Sequence, residues 1–121
     1  MGYRMEFQVN DHYLLARAAG PASLEGNVEF AKRLIEKAET SGRKKILIDI
    51  RDLTDPTSIF DAYELSEVGA SFVRGKSLKI ALLHGKEREE LESFFETASR
   101  NRGINIRVFM EESECMEWLL K

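Results

Sequence analysis

Cysteine is all but missing from this chain. Cys115 is the only one in 121 residues, so no intramolecular disulfide can form, and no thiol pair exists for metal or redox work. Histidine is nearly as scarce: His12 and His84 lack a partner four residues away and fall at different strand junctions, which argues against a histidine metal site. No apolar run approaches the ~18 residues that a membrane span needs. The start, Met1-Gly2-Tyr3-Arg4-Met5-Glu6, has no apolar signal-peptide core, so a cytoplasmic protein is expected. Glu6 stands where a myristoylation motif needs Ser or Thr. An excess of basic charge is also absent, with 18 basic against 21 acidic residues and a net charge of −3. The one basic run, Arg43-Lys44-Lys45, reads as a solvated loop, so no nucleic-acid partner is expected. Neither glycine-rich nucleotide fingerprint occurs, nor the G-x-S-x-G turn that exposes a nucleophilic serine. No cofactor is expected.

What is present is the patterning of one α/β domain, without repeats or linkers. Met5, Phe7 and Val9 alternate with Glu6 and Gln8, the period of a half-buried strand. Asn10-Asp11-His12 turns the chain into a second apolar run from Tyr13 to Ala19, closed by Gly20-Pro21. Val28, Ala31, Leu34, Ile35 and Ala38 then recur at helical spacing. Ser23 and Asn27 are both candidate caps for that helix, and Gly42 suits its left-handed end. Lys45 to Ile50 reads as a central strand buried on both faces. A second helix opens at Ser58, with Asp61 three residues on, and runs to about Val73 with Gly75 as its stop. Leu78 to Leu83 makes a fourth strand, Glu87 to about Asn101 a third helix with Gly103 behind it, and Ile104 to Phe109 a fifth strand. Ser113 would cap a last short helix that buries Cys115 or Met116 with Leu119. The order is β-β-α-β-α-β-α-β-α. A tight hairpin makes the first strand antiparallel, and strand–helix–strand units make the rest parallel, giving a mixed five-stranded sheet packed with helices.

Ligands in open α/β sheets gather at the carboxyl ends of the parallel strands. There the third strand offers Asp49, Asp52, Thr54, Asp55, Thr57 and Ser58, the fourth His84 and Lys86, and the fifth Glu111 and Glu112. The acidic residues read as turn residues and caps in preference to a cation site. Asp49 near the end of a central strand is also where a phosphorelay receiver keeps its acceptor. Such a receiver needs a lysine ending the fifth strand, and here that strand ends in Phe109-Met110-Glu111. The second helix is unusual: Ile59, Ala62, Tyr63, Ala70 and Val73 take one face, Leu65, Val68 and Phe72 the next, and Glu64, Glu67 and Ser71 only a narrow strip. Burial against a neighbouring helix is the expected use of so broad an apolar arc, with a partner surface as the alternative.

The stretch Ile46-Leu47-Ile48-Asp49-Ile50-Arg51-Asp52-Leu53-Thr54 through Thr57-Ser58 resembles the centre of STAS domains, which include bacterial anti-sigma factor antagonists. The Lys79-Ile80-Ala81-Leu82-Leu83 strand is similar. So is the ending Asn101-Arg102-Gly103-Ile104-Asn105-Ile106-Arg107-Val108-Phe109 with Glu117-Trp118-Leu119, which looks like small stand-alone STAS-like proteins related to lipid-carrying CRAL-TRIO domains. The resemblance implies a non-enzymatic regulatory domain that binds protein partners, one of them an anti-sigma-type kinase. In that family a serine opening the second helix is phosphorylated, and Ser58, or Thr57 by a one-residue shift, stands in its place. The antagonists have Asp before that serine and small residues after it, where this chain has Thr57 and then Ile59-Phe60. A partner or ligand surface is expected over Asp52, Thr54, Asp55, Phe60, Tyr63, Leu65, Val68, Phe72 and His84, and a homodimer through the apolar helix face. The lipid-carrying relatives imply the alternative, a carrier or sensor of a small apolar ligand.

Overall fold

Hydrogen bonding draws the strands into one mixed sheet whose spatial order is the order of the chain. The computed structural model describes residues 2–121. Its elements are β1 (Arg4–Val9), β2 (Leu14–Pro21), α1 (Leu24–Ser41), β3 (Lys45–Thr54), α2 (Ile59–Val73), β4 (Lys79–Leu83), α3 (Glu89–Asn101), β5 (Ile106–Phe109) and α4 (Glu112–Leu119). A 3-10 turn, Lys86–Arg88, leads into α3. β1 is antiparallel to β2, and β2 through β5 are parallel. Element order and sheet type are those the sequence predicts.

Each parallel step moves one strand over in the same direction, so crossovers of one hand must leave their helices on one face. α1, α2 and α3 accordingly share a face and a core. Leu14, Ala16, Ile46, Ile48, Ile80, Leu82 and Ile106 meet Phe30, Leu34, Phe72 and Phe95 there. The alternate strand residues Leu47, Ala81 and Leu83 point the other way, into a smaller core closed by Cys115 and Leu119 of α4. Period-two alternation thus assigns each strand residue to one of two compartments.

Several element ends depart from expectation. β2 ends at Pro21, two residues past Ala19, because Gly20 adopts φ 98 and Pro21 still pairs with Thr54. β3 runs four residues past Ile50, through Arg51, Asp52, Leu53 and Thr54. A register shift against β2, between Arg17 and Ala19, is why Leu53 joins the same core as the even-numbered Ile46, Ile48 and Ile50. β5 begins at Ile106, two residues later than its apolar pattern suggests. Finally, Ser113 lies inside α4 rather than capping it. The other caps follow chemistry: Ser23, not Asn27, accepts from Gly26 N–H at the start of α1, and Gly42 closes it at φ 73.

Asp49 is a buried carboxylate in the middle of the apolar strand β3. It accepts from the backbone N–H of Arg51 at 3.1 Å and from that guanidinium at 3.1 and 2.9 Å. Arg17 stands 3.5 Å off. Burial pushes this carboxyl up, but the Arg51 hydrogen bonds and the two guanidinium charges outweigh it, and the group is held below its ordinary value. A depressed carboxyl contributes stability that is present above the unfolded pKa and is lost as pH falls through the folded one. Asp49→Asn should therefore cost about 1–3 kcal/mol near neutrality, and the gap to wild type should close as the medium falls below about pH 4. Urea unfolding at both ends of that range measures it, and a gap that stays constant refutes the assignment.

α2 rests on α1 and α3. Only Ala62 and Ser66 are fully buried along it. Gly69 sits mid-helix, and a methyl group there would meet only Ile104 Cδ1, at an ordinary 3.9 Å. Gly69→Ala should raise stability by roughly 0.5–1 kcal/mol, since it removes backbone entropy from the unfolded chain without a clash. Thermal denaturation should show the higher midpoint, and a lower one would mean that the space beside Gly69 cannot take a methyl.

Candidate functional site

The side chain that Gly69 lacks leaves space between α2 and the sheet. A cavity of about 100 Å³ lies there, floored by Ile48, Ile50 and Ile80 and walled by Leu65, Phe72 and Phe95. Nearly all of its lining is apolar. The polar exceptions are Asn27, Thr57, Arg88 and Glu92. Asn27 is in the first turn of α1, Thr57 stands just before α2, and Arg88 and Glu92 flank the start of α3. In parallel strand–helix units every crossover helix starts at the carboxyl edge of the sheet. Three helix starts therefore bring their polar residues to one end of the cavity, with the positive ends of their dipoles.

Arg88 and Glu92 form a buried ion pair there, 2% and 5% exposed, with Arg88 Nε 3.2 Å from Glu92 Oε2. Burial pushes the Glu92 carboxyl up, against the downward pull of Arg88. Arg88 Nη1 has no hydrogen-bond partner; among the described residues the one other buried side-chain atom so placed is Ser99 Oγ. A buried donor without an acceptor costs about 1–3 kcal/mol, and more on a charged group. Beside this end, Tyr3 packs against Gly26, where a Cβ would strike its ring, and its hydroxyl donates to Asn27 Oδ1 at 2.8 Å. Burial raises the Tyr3 phenol well above its ordinary pKa, with the Arg88 charge opposing.

The residues singled out from sequence divide into separate places. Thr57, Leu65 and Phe72 line the cavity, and Val68 is half-buried on the same helix. Ser58 is exposed and caps α2, its Oγ accepting from Asp61 N–H at 3.1 Å. Phe60 and Tyr63 stand beside it in solvent, 86% and 52% exposed, with Ile59. The Arg102 guanidinium lies 4.8 Å from the Tyr63 ring centre. Asp52 and Thr54 belong to β3 rather than to a loop, and Asp55 follows in the left-handed region at φ 52. His84 is buried, its Nδ1 2.8 Å from the Gly85 carbonyl oxygen. Of the α2 arc, Ala62 is buried and Leu65, Val68, Ala70, Phe72 and Val73 are half-buried, whereas Ile59 and Tyr63 near its start face water. Cys115 is buried beneath α4, and burial, then Glu112 and Asp49, push its thiol up to about 12. Such a thiol is unreactive.

Sequence reasoning missed Arg88, Glu92, Tyr3 and Asn27. One signal was available: Arg88, Leu91, Glu92, Phe95 and Ser99 recur at helical spacing, so both charges lie on the apolar face of α3. Among the described residues, no group of three or more His, Cys, Asp or Glu is arranged to hold a metal ion. Nor is any helix long and apolar enough to cross a membrane.

No family model matches the sequence, and no curated protein does. Solved structures do match in shape. An anti-sigma factor antagonist from Mycobacterium paratuberculosis superposes with a TM-score of 0.69 at 7% identity, over 99% of this chain and 96% of its own. An uncharacterised DUF3478-family protein with a SpoIIAA-like fold, from Shewanella loihica PV-4, gives 0.59 at 22% identity, over 98% and 94%. The likeness takes in every strand and helix, and the chain has a SpoIIAA-like, that is STAS-like, fold.

Proposed function

We propose that this is a non-enzymatic regulatory domain of the STAS type, which docks another protein on the exposed start of α2 and is switched by phosphorylation at Ser58. The observation that carries the reading is the cluster of Ile59, Phe60 and Tyr63 in solvent around a capping serine. Aromatic side chains of this kind anchor protein interfaces, and each gains about 1.5–3 kcal/mol on leaving water. A stable contact covers ~800 Å² per partner, so docking must extend beyond these three side chains toward Asp52, Thr54 and Asp55. A second copy of the chain is another occupant for this face, and sedimentation velocity distinguishes monomer from homodimer.

Phosphate on Ser58 would sit at a helix start, where free N–H groups and the dipole welcome it, so the fold survives. Its charge would add to Asp52, Asp55 and Asp61 nearby in sequence and repel an acidic partner surface. The anti-sigma factor antagonist among the structural neighbours supports this reading, in which an anti-sigma-type kinase would be the partner. After incubation with a kinase fraction from the native cell and ATP, peptide mass spectrometry should find phosphate on the Thr57–Ser58 segment. An unmodified segment sinks the switch. Ser58→Ala should remove the label and cost about 1 kcal/mol in urea unfolding, the ordinary worth of a cap.

The cavity under α2 favours a second reading, a carrier or sensor of a small apolar ligand. Native mass spectrometry of freshly purified protein should then show added mass that leaves on collisional activation. A bare chain counts against it.

A further inference from the structure

Resting on the ligand-binding reading, we infer that the cavity beneath α2 takes a small apolar monocarboxylate, its tail among the isoleucines and its carboxylate on the Arg88 guanidinium. Three independent features select this chemistry. The first is size. A water occupies about 30 Å³ of liquid, and an engineered apolar cavity of about 150 Å³ holds benzene. The 100 Å³ here accommodates an acyl tail of about four carbons. The second is the lining, apolar throughout apart from one end, as expected where burial supplies affinity and a few polar groups supply orientation.

The third feature is the polar end itself. Arg88 is 2% exposed and lines the cavity, with Nε engaged by Glu92 and Nη1 buried without a partner, so the guanidinium has donor capacity left over. A guanidinium presents five donors in a rigid fork, so one carboxylate does not exhaust it. Glu92 takes one side and leaves the other for a second acceptor. Asn27 and Thr57 offer further polar groups, and the starts of α1, α2 and α3 converge there with their positive dipole ends. Glu92 is the counter-charge, and burial moves it toward its neutral form, which lessens the repulsion between two carboxylates. A dicarboxylate would place its second charge among Ile48, Ile50 and Ile80, which excludes it.

The test is titration of the full-length protein, labelled with nitrogen-15, with isobutyrate and with isobutanol, which share a tail and differ in the head group. Isobutyrate should bind at least tenfold more tightly, with the largest amide shifts at Leu65, Gly69, Arg88 and Phe95. Arg88→Met should reduce the two affinities to within a factor of about two. Should that variant fail to fold, the wild-type comparison decides alone, since it needs no substitution. Equal binding of acid and alcohol inside the cavity would overturn the carboxylate inference and leave the apolar-ligand reading standing. Binding of neither would overturn both. Isobutyrate shifts confined to the surface around Ser58 and Phe60 would also overturn the inference.

Discussion

The constant direction of the three parallel crossovers governs this molecule. Because β2, β3, β4 and β5 lie side by side in chain order, a single hand of crossover sends α1, α2 and α3 to one face. There is no point at which the strand order reverses, so no crevice opens between diverging helices at the sheet edge, the usual place for ligands in doubly wound folds. Three helices on one face must instead share it, and the middle one stands on its two neighbours. Space for a ligand then lies under a helix. That one constraint also gathers three helix starts at one edge, which accounts for both the exposed Ser58 cap and the buried Arg88–Glu92 pair.

Two candidate surfaces result, on opposite sides of the same short segment. Thr57 faces inward to the cavity, while Ser58, Ile59 and Phe60 face outward to solvent. Events on either side act on the first turn of α2. A phosphate outside and a ligand inside would therefore bias one helix start, which is the arrangement that couples two sites.

Much of the fold was legible in the sequence, for reasons that residues make plain. Strict alternation marked Met5 to Val9, unbroken apolar runs marked the buried parallel strands, and Gly42, Ser58 and Gly75 closed or opened helices as their backbone chemistry requires. Hydrophobic patterning failed where strands leave the cover of helices. Arg51, Asp52 and Thr54 read as a loop because they are polar, yet their strand continues to pair with β2 out to Pro21. The first turn of α2 departs in the other sense: Ile59 and Tyr63 belong to the apolar arc and still face water. Burial of charge was the hardest to see. Arg88 and Glu92 share a face with Leu91 and Phe95, but charged residues default to solvent, and only their mutual pairing makes burial tolerable.

The sheet is also a partition between two spectroscopic environments. Trp118 is the only tryptophan, and it lies on the α4 side, 5.9 Å from the Phe109 ring, with the Lys79 ammonium 4.6 Å from its ring centre. Its emission therefore reports the seating of α4 on the smaller core. The helices that enclose the cavity on the far side carry no indole at all. Intrinsic fluorescence thus follows one half of this molecule, and labels on α2 are needed to follow the other.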